Sequence, residues 1–111
     1  MTIYENEPEY YTVDFSHVET DDEFHAVLEK SLEFPEGYGR NWTAFWDFLK
    51  EMPGVPLYID IYGLENAQKR MPLDTEYFIQ DMKNLKHSYG NRYADITHIT
   101  IVTGDARTEI T

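Results

Sequence analysis

A chain of 111 residues is long enough for one hydrophobic core and too short for two independent ones, so one domain over residues 1–111 is expected. Hydrophobic residues at 41% and aromatic residues at 15% exclude a disordered chain, and the lack of cysteine excludes a disulfide framework, a thiolate metal site and a thiol nucleophile. Nine basic against 21 acidic side chains leave a formal charge of −12, which repels phosphate backbones and anionic membranes and favours a cationic partner, although acidity also serves solubility alone.

Residues 1–9 read as a loose tail. Met1 to Tyr11 carries Glu5, Glu7 and Glu9 and lacks the basic start and apolar run of a signal peptide, so a cytoplasmic location is expected. Tyr11, Val13 and Phe15 alternate with Thr12 and Asp14, the period of a half-buried strand. Thr20 with Glu23 forms a capping box, and Phe24, Val27, Leu28 and Leu32 supply the apolar stripe of the helix that follows.

Pro35, Gly37 and Gly39 break that helix, and Asn41 is placed to cap a second one running to about Glu51. On it Trp42, Phe45, Trp46 and Leu49 share the core side, with Phe48 flanking. Thr43, Asp47, Lys50 and Glu51 share the other side, and Trp46 sits at the border beside Asp47. Pro53, Gly54 and Pro56 end this helix. Leu57, Ile59 and Ile61 then interleave with Tyr58, Asp60 and Tyr62 as a second strand closed by Gly63. Gly63 to Arg70 reads as a short helix stopped by Pro72. Asp74 is expected to cap a longer helix with Tyr77, Phe78, Met82 and Leu85 inside, ending near Gly90, and Ile96 to Val102 reads as the third strand. Helices between successive strands call for crossover connections, hence an α/β fold with a small three-stranded parallel sheet covered by about four helices.

The distinctive stretch is Phe34-Pro35-Glu36-Gly37-Tyr38-Gly39-Arg40-Asn41-Trp42-Thr43-Ala44-Phe45-Trp46-Asp47-Phe48-Leu49. It resembles the barstar family of ribonuclease inhibitors, matching its pattern at Pro35, Glu36, Tyr38, Gly39, Asn41, Ala44, Trp46, Asp47 and Leu49 and continuing without a gap into Pro56 and Leu57. The resemblance implies inhibition by occlusion. The loop before the second helix and the exposed side of that helix would plug the cleft of a basic ribonuclease, with the Asp47 carboxylate in the place of a substrate phosphate, where it can accept several charge-assisted hydrogen bonds. The partner-binding positions so implied are Asp47, Trp46, Thr43, Tyr38, Gly37, Gly39, Arg40 and Asn41. A last-helix position falls near Asn84, with Asp81 close by.

Each position also has a structural reading: Gly37 and Gly39 as turn formers, Asn41 as a helix cap, Tyr38 as a packed ring, Trp46 as a core anchor and Asp47 as a solvated charge. The sequence departs from the family pattern at three expected contacts. Gly37 replaces a tyrosine, Thr43 an acidic residue and Arg40 a glutamate, which points to a related ribonuclease or a nuclease toxin rather than barnase itself.

Catalysis has little support. His17, His25, His87 and His98 show no paired ligand spacing, His17 and His25 lie around a charged and exposed helix start, and His98 on a strand reads as packed. No phosphate loop or nucleophile motif is present, so no cofactor, no metal and no enzymatic activity are expected. The remaining alternative is an acidic interaction module or nucleic-acid mimic on the same fold. The free protein is expected to be a monomer.

Overall fold

The computed structural model describes residues 8–51, 56–87 and 97–110. Strand β1 (Glu9–Asp14) is followed by helices α1 (Asp21–Ser31) and α2 (Trp42–Lys50) and strand β2 (Leu57–Tyr62). Helices α3 (Leu64–Arg70) and α4 (Pro72–His87) lead to strands β3 (Thr97–Thr103) and β4 (Ala106–Glu109). The mixed α/β architecture agrees with the expectation from sequence. Pro53, Gly54, Gly90 and Ile96, on which element ends were placed, lie outside the described residues.

The sheet order is β1-β2-β3-β4, with β1, β2 and β3 parallel and β4 antiparallel to β3. Right-handed crossovers between parallel neighbours taken in chain order carry the helices to one face of the sheet. The burial pattern agrees: Tyr11, Val13, Leu57, Ile59, Ile61, Thr97 and Ile99 are buried on that face. On the other face Tyr10 and Tyr58 stack at 4.9 Å between ring centroids, as do Tyr58 and His98, so His98 is packed on a ring yet partly open to solvent.

The fourth strand corrects the expected count of three. Its four residues are all exposed and show no apolar alternation. The signal that marks it is the turn instead: Gly104, at φ +58°, and Asp105 close a two-residue connection between the paired Thr103 and Ala106. Strand β1 also starts earlier than the alternation indicates, with Glu9 and Tyr10 in register with Leu57 and Tyr58.

Phe15, just after β1, and Phe24, Phe45 and Phe78 of α1, α2 and α4 are fully buried and draw these segments together, with Phe15 against Phe24 at 4.4 Å and against Phe78 at 5.2 Å. Thr20 and Glu23 form the capping box of α1, as expected. Helix α4 starts at Pro72, which suits the first helical position because it has no N–H to satisfy. Asp74 therefore lies inside the first turn and is not the cap. At the end of β2, Gly63 takes φ +70°, and a Cβ there would meet the Ser16 backbone nitrogen at 2.3 Å, so the close approach of the two chains requires glycine.

Candidate functional site

The stretch singled out by sequence forms the loop from Leu32 to Asn41 and helix α2. Asn41 caps the helix: its side-chain oxygen accepts from the Ala44 N–H at 2.8 Å, and its amide nitrogen donates to the Gly39 carbonyl at 3.3 Å. Phe45 and Leu49 are buried, Trp42, Trp46 and Phe48 are half-buried, and Thr43, Asp47, Lys50 and Glu51 are exposed, the two-sided helix expected. Thr43 and Asp47, one turn apart, share the solvent face. The Asp47 side chain is 63% exposed and lies 3.4 Å from Lys50 Nζ. Trp46 packs against the core while remaining part-exposed beside it.

Two of the loop's residues have opposite fates. Gly37 is exposed at φ +98° with nothing within 4 Å of where a Cβ would stand, so the position needs glycine for its conformation and presents bare backbone outward. Tyr38, 7% exposed, turns inward onto the rings of Phe34 and Phe48. Its hydroxyl meets His25 Nδ1 at 2.5 Å. Burial, followed by the charge of Glu29, raises its pKa above the ordinary tyrosine range.

His25 corrects the expectation of an exposed imidazole, for it is 4% exposed. Its ring packs 4.6 Å from Trp42, and burial lowers its pKa below the ordinary value, against the pull of Asp74, Asp21 and Asp22. The Trp42 indole N–H donates to Asp74 at 2.9 Å, which ties the start of α2 to the first turn of α4. His25, Trp42 and Asp74, with Asp21, Asp22, Arg40 and Asn41, line a cleft of about 300 Å³ where the N-terminal ends of α1, α2 and α4 converge.

Arg40 adopts a left-handed conformation, φ +52°, and its guanidinium binds back onto α1. Nη1 lies 3.0 Å from both carboxylate oxygens of Asp22, and Nε lies 3.3 Å from Glu29. On α4, Asn84 accepts from Gln80 at 3.1 Å. Asp81 is half-buried, its carboxyl is pushed up to about 6 by desolvation, and its charge reaches the Tyr38 hydroxyl. Of the two last-helix candidates, Asp81 is thus the one electrically coupled to the loop.

Among the described residues no group of three or more His, Cys, Asp or Glu side chains is arranged to hold a metal ion. Among the same residues no helix is long and apolar enough to cross a membrane. Sequence reasoning missed His25, Asp74 and the two carboxylates that take Arg40. The spacing of Asp22 and Glu29, two helical turns apart, was a visible but unused signal.

A family model described as Barstar (barnase inhibitor) matches residues 9–100, and the chain belongs to that family. Members of the family are inhibitors of barnase-type ribonucleases and not enzymes, so the chain is not an enzyme. No individual curated protein matches the chain.

Proposed function

We propose that this barstar-family chain is an intracellular inhibitor, of the immunity or antitoxin kind, that occludes the active site of a basic barnase-like or toxin ribonuclease. The observation that carries this reading is the exposed face of α2, where Asp47 stands out on a rigid, capped helix beside a loop anchored in the core through Tyr38. A carboxylate so held needs little ordering when it meets arginine and lysine side chains, and desolvation strengthens the hydrogen bonds it accepts. It would stand where a substrate phosphate stands.

Thr43 one turn before Asp47, the part-exposed Trp46 and the exposed backbone at Gly37 and Gly39 would supply the rest of the contact surface. Lys50 Nζ lies 3.4 Å from Asp47 in an exposed ion pair, and an incoming guanidinium can compete for that carboxylate at small cost. The chain's charge of −12 draws a basic enzyme toward the surface before contact.

RNA cleavage by a panel of barnase-type ribonucleases, measured with the protein added at increasing ratios, tests the proposal. One-to-one inhibition by wild type and its loss in Asp47→Ala support occlusion at this site. Inhibition that survives Asp47→Ala and collapses with salt points instead to a diffuse acidic module.

A further inference from the structure

Three left-handed residues, Glu33 at φ +56°, Gly37 at φ +98° and Arg40 at φ +52°, shape the loop between α1 and α2. Non-glycine residues avoid this conformation unless their surroundings hold them in it. Tyr38 fixes the middle of the loop through His25. Its far end, just before the Asn41 cap, carries Arg40, whose guanidinium spans two carboxylates on α1.

The charge at position 40 has two possible destinations. Turned outward, a cation in the middle of a surface that receives a basic enzyme would repel it. The geometry shows the other arrangement, because Nε and Nη1 both point to acids of the chain itself and the guanidinium is more than neutralised by Asp22 and Glu29. A single exposed ion pair is weak, whereas a planar fork holding two carboxylates at once restricts the backbone that carries it.

We propose that Arg40 is a positioning residue: it clamps the loop to Asp22 and Glu29 in the conformation that meets the partner, and does not itself meet the partner. Binding then spends less on ordering the loop. The claim about the clamp concerns the free protein, and only its effect on affinity rests on the function proposed above.

The experiment is amide hydrogen exchange of the full chain, alone, for wild type, Arg40→Gln, Arg40→Glu and the double variant Asp22→Arg/Arg40→Glu. Exchange at Phe34, Ala44 and Phe45, whose N–H groups at the two ends of the loop donate to the Glu29 carbonyl, the Asn41 side chain and the Asn41 carbonyl, should rise about tenfold in both single variants without a matching rise in the sheet, and the reversed pair should restore most of the protection. Unchanged loop exchange in the single variants, or no recovery in the double, overturns the clamp. The same variants are then titrated with whichever ribonuclease of the barnase-type panel the wild type inhibits. A clamp makes Arg40→Glu bind about tenfold more weakly, with recovery in the double variant, whereas a contacting Arg40 makes Arg40→Glu bind a basic enzyme more tightly and overturns the proposal. If wild type binds no ribonuclease, the inhibitor reading fails while the exchange data still decide the clamp.

Discussion

Tyr38 and His25 meet through a 2.5 Å hydrogen bond between the tyrosine hydroxyl and Nδ1 of the imidazole, with both side chains buried. Removing the hydroxyl leaves a buried ring nitrogen without its partner. Tyr38→Phe should therefore cost about 1–3 kcal/mol of stability, read from urea unfolding, while the ring contacts to Phe34 and Phe48 persist. A loss near zero would show that solvent replaces the hydroxyl.

The same imidazole makes the fold sensitive to acid. Its folded pKa lies below the ordinary 6.5, so between the two values the unfolded chain binds the extra proton. The contribution of His25 is complete above pH 6.5 and is lost as pH falls through the depressed folded value. His25→Phe should flatten that part of a melting-temperature profile, and an unchanged slope would assign it to other groups.

Asp81 acts with the opposite sign. Its folded pKa, about 6, stands above the ordinary 3.8, so its favourable contribution is present below 3.8 and lost as pH rises through 6. Asp81→Asn should raise stability by about 1–2 kcal/mol at pH 7, allowing for screening of a half-buried group, and by nothing at pH 3. Chemical unfolding at the two pH values checks this.

Gly63→Ala should be among the most damaging small changes in the chain. The added carbon would stand 2.3 Å from the Ser16 backbone nitrogen in a left-handed conformation, and backbone, unlike a side-chain tip, cannot turn aside. A cost of about 3 kcal/mol or more, or failure to fold, is expected in thermal unfolding.

Asp47→Ala should do the reverse, leaving the melting temperature within about 2 °C of wild type because the side chain is exposed. Its cost should appear in binding, as a loss of about 10²–10⁴ in affinity for the inhibited ribonuclease, since the partner's cations are left buried without their anion. Calorimetric titration of both proteins measures it.

Much of this molecule was determined by interactions within a few residues of chain. The capping box at Thr20 and Glu23, the Asn41 cap, the two-sided α2 with Asp47 outward and the alternation of Leu57, Ile59 and Ile61 are all visible in the sequence and present in the fold. They depend on helical and extended geometry alone. The tertiary structure decided what depends on elements meeting across the chain. It placed His25 inside, although its helix start is acidic, because α2 lays Trp42 over it. It turned Asp74 from an expected cap into the acceptor for Trp42, 32 residues away. It gave Arg40, a charge reversal by sequence, two acids on α1 to bind, and it added β4, whose exposed residues carry no periodic signal. Burial and ion pairing are properties of surfaces brought together by packing, and local periodicity shows which surfaces exist but not which of them will face each other.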